Sequence, residues 1–172
     1  DKKLENAKSI SKIMNEAGFD TEPVEMDLSS RSSVLSMIAK AKQYGNITML
    51  VNAAGVSPSQ ASIETILKVD LYGTAVLLEE IGKVIAPGGV GLTISSQSGH
   101  RMKQLTAEQD KQLACTPAEE LLSLEMVKPE NIENTLHATR WQNVAMKKEL
   151  WQKRSNGEGR ERVLILFLRE LL

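Results

Sequence analysis

Apolar positions return at helical spacing over residues 3–17, where Leu4, Ala7, Ile10, Ile13 and Met14 fall near one stripe and Gly18 supplies a stop. Pro23 to Leu28 reads as a short strand, after which Ser29 or Ser30 can cap a second helix with Val34, Leu35, Ile38, Ala39 and Ala41 on its apolar face. Gly45 ends that helix. Ile47 to Val51 is a compact apolar run, the pattern of a strand buried on both faces. Residues 60–86 return to helical spacing through Ile63, Ile66, Leu67, Val76, Leu77 and Ile81, until Pro87-Gly88-Gly89 breaks the pattern. Val90 to Ile94 is another strand. Residues 100–137 are polar and helix-prone, with breaks at Pro117 and Pro129 and a candidate capping box at Thr106-x-x-Gln109.

Helices alternating with short apolar strands predict an α/β fold with a parallel sheet covered on both faces. Ligands of such sheets sit at the carboxyl ends of strands. That rule selects Asp27-Leu28, Asn52-Ala53-Ala54-Gly55 and Ser95-Ser96-Gln97-Ser98. Each also reads as ordinary turn chemistry: a glycine lets backbone approach a ligand, and Asn with Gly after a strand is equally a turn.

Composition narrows the function. The chain has 172 residues, 41% apolar, with a net charge of −1, so one domain suffices and a bulk electrostatic grip on nucleic acid is not expected. A single cysteine excludes an internal disulfide framework and any multi-thiolate metal site. No apolar run approaches the roughly 20 residues that span a bilayer. No basic-then-apolar leader opens the chain, which starts on Asp1. A cytoplasmic protein with no membrane partner is the expectation. Residues 1–138 carry 13 basic and 18 acidic side chains, whereas residues 139–172 carry 8 basic and 4 acidic and both tryptophans. That shift marks a boundary.

Other features carry less. Gly88-Gly-Val-Gly91 precedes a strand, whereas a pyrophosphate loop follows one and opens a helix. His100 and His137 stand far apart in the sequence and outside any thiolate or carboxylate cluster motif, so no metal site is expected, and Cys115 falls in a polar helical stretch that matches no nucleophile motif.

Taken together and in this order, the motifs resemble the short-chain dehydrogenase/reductase family from Asp1 to about Ala138. Asp27-Leu28 resembles the acidic position that contacts adenine. Asn52-Ala-Ala-Gly55 resembles the Asn-Asn-Ala-Gly motif, with Ala53 at the departing position. Val69-Asp-Leu-Tyr-Gly-Thr74 is similar to the mid-helix segment that usually carries a catalytic-site Asn; here Asp70 stands there, a departure that bears on the helix kink and proton-relay water usual at that point. Ile94-Ser-Ser-Gln-Ser-Gly99 resembles the active-site serine segment, with Ser96 at the serine. The resemblance implies a doubly wound, Rossmann-type parallel sheet, here partial and lacking its first strands. It implies NAD or NADP, held through Asp27, Leu28, Asn52, Ala53, Ala54 and Gly55. It implies hydride transfer to or from a small-molecule alcohol or ketone, with Ser96 and Asp70 as catalytic-site residues, and assembly as a homo-oligomer. Residues 100–137 are then a helical insertion.

Two parts of the family pattern are missing. The Gly-rich pyrophosphate loop is absent, and no Tyr-x-x-x-Lys occurs, since the only tyrosines are Tyr44 and Tyr72. Codons for the tail, read one base out of step, can place a Tyr codon across Ala138 and Thr139 and a Lys codon across Gln142 and Asn143, four apart. Val163 to Glu170 can then decode as Ile-Asn-Ser-Ile-Ser-Pro-Gly, similar to the family's later strand and Pro-Gly motif. The expectation is a partial dinucleotide-binding domain over 1–138 and an out-of-frame tail over 139–172, inactive as given. Alternatives are a non-catalytic module pairing with intact homologues through the long helix, or a pseudogene product without selected function.

Overall fold

The computed structural model describes the backbone of residues 1–155 and 162–168 and the side chains of residues 1–145. Two helices come first, α1 (Leu4–Glu16) and α2 (Arg31–Lys42), then strand β1 (Met49–Asn52). The long helical pattern becomes α3 (Ile63–Ile66), a π-helical segment (Leu67–Gly73) and α4 (Thr74–Gly82). Strand β2 (Val90–Ser96) follows, then a 3-10 turn (Gln97–Arg101), α5 (Ala107–Cys115), three short 3-10 turns, α6 (Thr135–Ser155) and β3 (Arg162–Leu168). The strands form one parallel sheet in the order β1-β2-β3, with Asn52 beside Thr93 and Ser96 beside Leu168. Each neighbouring pair is joined by a helical crossover, as parallel strands require. The chain is an α/β protein with a partial Rossmann-type sheet.

Local signals place the helix ends. Gly18, at φ +91, leaves α1 through the left-handed region, where a side chain is strained. Ser30 caps α2, accepting the Ser33 amide, and Ser62 caps α3 in the same way through Thr65. The Thr106–Gln109 capping box forms, with both reciprocal bonds present.

Three expectations are corrected. Residues 23–28 are not a strand: the Met26 amide donates to the Asp1 carbonyl and the Asp1 amine to the Val24 carbonyl, Leu28 already enters a turn, and no described strand lies alongside to complete a ladder. β1 is not buried on both faces, because Met49 and Val51 stand 65% and 55% exposed on a strand with one described neighbour. Much of the apolar stripe of α1 also faces outward, with Ile10 and Ile13 about 60% exposed while Leu4 and Ala7 are half-buried; the buried residue is Ser11, which shares hydrogen bonds with Thr21.

The core lies under α2, the π-helical segment, α4 and the first turns of α6, with Val34, Ile66, Val76 and Ala138 fully buried. Arg31, at the start of α2, fastens the inserted segment to it. Its guanidinium donates to Glu79 at 3.1 Å, to Glu80, and to Glu119 at 2.5 Å, while the Tyr72 hydroxyl donates to the same Glu119 at 3.0 Å. Lys83 adds contacts of 2.9 Å to Glu79 and Glu80. Glu79 and Glu119 are both held below the usual carboxylate range, chiefly by Arg31.

α6 runs through Ala138 and Thr139 without a break and buries Trp141, Asn143 and Ala145. Side chains of the tail beyond Ala145, including Trp151, lie outside the described residues, as does the backbone of 156–161 and 169–172.

Gly73 is where the π-helical segment meets the rest of the core. A Cβ there would stand 2.5 Å from the Leu28 carbonyl oxygen and 2.8 Å from the Leu28 Cγ. Gly73→Ala is therefore expected to cost about 1–3 kcal/mol through overpacking against backbone, read as a lowered urea midpoint at unchanged slope.

Candidate functional site

The carboxyl end of β1 leads directly into the motif 52–55. Asn52 is 4% exposed, and its side-chain oxygen accepts the Ala54 amide at 3.3 Å, which folds the chain back on itself as it leaves the strand. Ala53, Ala54 and Gly55 then lie exposed, offering small side chains and open backbone. The next amide, on Val56, donates to Asp70 Oδ1 at 2.9 Å. Gly55 packs beneath the same carboxyl: a Cβ at Gly55 would come within 3.2 Å of Asp70 Oδ1.

Asp70 lies in the π-helical segment, so the departure from Asn does not abolish the distortion of this helix. Insertions of this kind occur mostly as single turns inside α-helices and frequently at functional sites. The carboxyl is 2% exposed, and burial pushes its pKa up to about 6, with the Val56 amide opposing the shift.

Ser96 ends β2. Its hydroxyl accepts the Ser98 amide at 3.1 Å, starting the 3-10 turn. Its own amide donates to Asn143 Oδ1 at 2.9 Å, and the Ser95 hydroxyl donates to the same oxygen at 2.7 Å. Asn143 Nδ2 donates to the Ser98 hydroxyl at 3.2 Å and to the Thr139 carbonyl at 2.9 Å. This amide is 1% exposed and uses both donors and both acceptor positions. Gly99 permits the approach, since a Cβ there would meet Asn143 Cβ at 2.8 Å. α6 is thus bonded to the end of β2 at the serine segment.

Asp27 and Leu28 sit apart from both strand ends in the bonding pattern. The Asp27 carboxylate binds Lys2 at 2.8 Å and the Ser29 hydroxyl and amide at 2.6 and 2.9 Å, and these partners hold its pKa at about 2. Leu28 is buried against Gly73. The π-helical segment therefore touches two of the three regions chosen from sequence: Leu28 through Gly73, and the 52–55 loop through Asp70. Ser96 is held by α6. Asn143 was not chosen from sequence, because a lone Asn in a polar helical stretch carries no signal until its neighbours are known. Among the described residues, no group of three His, Cys, Asp or Glu side chains is placed to hold a metal ion, and no helix is long and apolar enough to cross a membrane.

A partial parallel sheet joined by helical crossovers, with loops at the carboxyl ends of its strands, defines the doubly wound α/β class. A family model described as enoyl-(acyl carrier protein) reductase matches residues 1–109. A short-chain dehydrogenase/reductase of Alternaria brassicicola is 37% identical over 91 residues, covering 53% of this chain and 33% of that protein. The chain thus spans about a third of the length of that curated relative. The 3-alpha-hydroxysteroid dehydrogenase of Pseudomonas sp., solved with NADH, superposes with a TM-score of 0.65 at 17% identity over 94% of this chain and 67% of that one. A short-chain dehydrogenase of Burkholderia cenocepacia, solved with NADP, gives 0.63 at 16% identity over 95% and 58%. The chain belongs to the short-chain dehydrogenase/reductase family.

Two outcomes test the site's energetics. An Asp70 pKa of about 6 in the folded chain, against 3.8 for a free carboxyl, means that the folded state keeps a proton which the unfolded state has released. Asp70 then contributes most to stability below pH 3.8, and that contribution is lost as pH rises through 6. The difference amounts to about 3 kcal/mol, so Asp70→Asn is expected to flatten this part of the stability profile in denaturant titrations at pH 4–7. Asn143→Ala leaves the Ser95 hydroxyl and Ser96 amide without their buried acceptor, and is expected to cost about 2–4 kcal/mol in the same assay.

Proposed function

We propose that this chain carries part of an NAD- or NADP-dependent oxidoreductase acting on a small-molecule alcohol or ketone, and that it is inactive as given. The reading assigns the open backbone of Ala53, Ala54 and Gly55, with Asn52 beneath it, to the dinucleotide, and Asp27 and Leu28 to its adenine end. The fit is uneven. The 53–55 loop is free to be approached by a flat group, whereas the Asp27 carboxylate is already occupied by Lys2 and Ser29. Ser96 is assigned to the substrate oxygen and Asp70 to the support of the site. When bound, the dinucleotide supplies or accepts the hydride; the protein's own part is to orient the substrate and move a proton.

The single observation that carries the inactivity is the pairing of Ser96 with Asn143. The helix bonded to the serine segment presents Thr139 and Asn143, four residues apart, and neither titrates near neutrality. The Thr139 hydroxyl is spent on the Thr135 carbonyl, and the Asn143 amide is fully bonded. A general acid contributes typically ~10²–10⁴-fold to such reactions, and neither Thr139 nor Asn143 can supply one. Tyr and Lys codons available in the neighbouring frame at the same two places support the reading that residues 139–172 are out of frame.

A second reading, a folded non-catalytic module that pairs with intact homologues, is favoured by the complete bonding of Asn143, since an unselected tail is not expected to satisfy a buried amide at all four positions. A cytoplasmic location accompanies either reading.

Incubated with NADH or NADPH and a panel of ketones, the purified chain is expected to oxidise cofactor no faster than a protein-free blank. Nucleotide sequence around codon 138 is expected to show a missing base relative to family members. A brisk cofactor-dependent rate, or an intact frame in independent isolates, overturns the first reading; co-purification with a full-length relative supports the second.

A further inference from the structure

We propose that Asp70 is a positioning residue whose ionisation sets the seating of the 53–56 loop, so that this chain carries a pH-sensitive latch where an amide would give a constant one. The inference deepens the dinucleotide reading and, for its effect on binding, rests on it.

The geometry is a short bridge between two elements. On one side is the loop leaving β1, exposed at Ala53, Ala54 and Gly55 and fastened at its start by the Asn52–Ala54 bond. On the other is the π-helical segment, anchored by Gly73 against the Leu28 backbone and therefore not free to follow the loop. The Asp70 carboxyl spans them, taking the Val56 amide at 2.9 Å with Gly55 in contact below.

A carboxylate oxygen only accepts, and it accepts more strongly when charged. The Val56 amide therefore has its best partner above the titration. Protonation places a hydrogen on one oxygen and weakens the acceptor, so the loop's far end is held less firmly. An amide oxygen at position 70 would accept the same bond at every pH.

Charged and titratable side chains described on the elements packed against this segment are Glu64 on α3, Glu79 and Glu80 on α4, Glu119 and Glu120 in the insertion, and His137 and Arg140 on α6. Lys68 and Tyr72 lie on the segment itself. Glu79, Glu80 and Glu119 are gathered on Arg31, and Tyr72 donates to Glu119. Among the described side chains none of these perturbs Asp70, whose ionisation is governed by its burial and by the Val56 amide. The titration that moves the latch is that of one group, near pH 6.

The test has two arms on the full chain. In the first, the Val56 backbone amide is followed by ¹⁵N NMR from pH 5 to 8 in the parent and in Asp70→Asn. The parent amide is expected to shift with a midpoint near 6, with lower exchange protection on the acid side after correction for intrinsic rates, while the variant stays flat. A flat parent, or an equal titration in both, overturns the proposal whatever the dinucleotide does. In the second arm, NADH binding is read by fluorescence. Affinity is expected to fall about fivefold to tenfold between pH 7 and 5 in the parent, following the ionised fraction, and by less than about twofold in the variant. Binding that ignores pH while the amide titrates overturns the coupling. Absence of NADH binding at every pH, with the amide still titrating in the parent alone, upholds the latch and removes the dinucleotide reading.

Discussion

The contact between Gly73 and the Leu28 backbone is the constraint from which most of the arrangement follows. A side chain at 73 would collide with a carbonyl oxygen, so the helix after β1 can lie against the 23–28 segment only with glycine at that point. Immediately before it the helix widens into a π turn, which alters the direction of the residues that follow. The same turn carries Asp70 inward to the loop after β1, and Tyr72 outward to Glu119. One seven-residue segment thus positions the end of the 23–28 segment, the loop after the first strand and the inserted segment relative to one another.

The second fixed point lies at the other strand end. Asn143 holds Ser95, Ser96 and Ser98 with a full set of hydrogen bonds in a nearly water-free setting, and a buried amide satisfied at every position rigidifies its surroundings. The same completeness leaves nothing over for chemistry. An amide has no proton to lose or gain near neutrality, and its bonds are all internal. Stability and catalytic capacity are in opposition here: the group that best fixes the serine segment is one that cannot act on a substrate.

Charge follows a similar division. Arg31 gathers three carboxylates and, through Glu119, the Tyr72 hydroxyl, so the inserted segment is fastened by a network shielded at Arg31 and Glu80 and exposed at Glu119. Asp70 stands outside that network with only a backbone amide for company. A carboxyl with no cationic partner responds to proton concentration, whereas Arg31 holds Glu79 and Glu119 below the usual carboxylate range.

Much of this could be read along the chain. Helix starts at Ser30 and Thr106 follow from hydroxyls that accept amides a turn ahead, and such local bonds are written in adjacent residues. The parallel sheet follows from alternation of apolar runs with helical spacing, and the carboxyl ends of its first two strands, Asn52 and Ser96, fall within the segments 52–55 and 95–98 that this pattern selects. Residue pattern alone could not tell that much of the stripe of α1 and the residues Met49 and Val51 face outward, because an apolar period specifies a face without specifying what covers it. Nor could it tell that 23–28 would be met by Asp1 rather than by a described strand, since a ladder needs a second strand in register. The pairing of Arg31 with Glu119, 88 residues away, and of Asn143 with Ser96, 47 residues away, are decisions of the tertiary structure. Local sequence determines which residues can form turns, caps and strands, because those bonds close within a few residues. Which buried polar groups meet, and whether a carboxyl is left alone among apolar neighbours, depends on contacts that exist only once distant segments have packed.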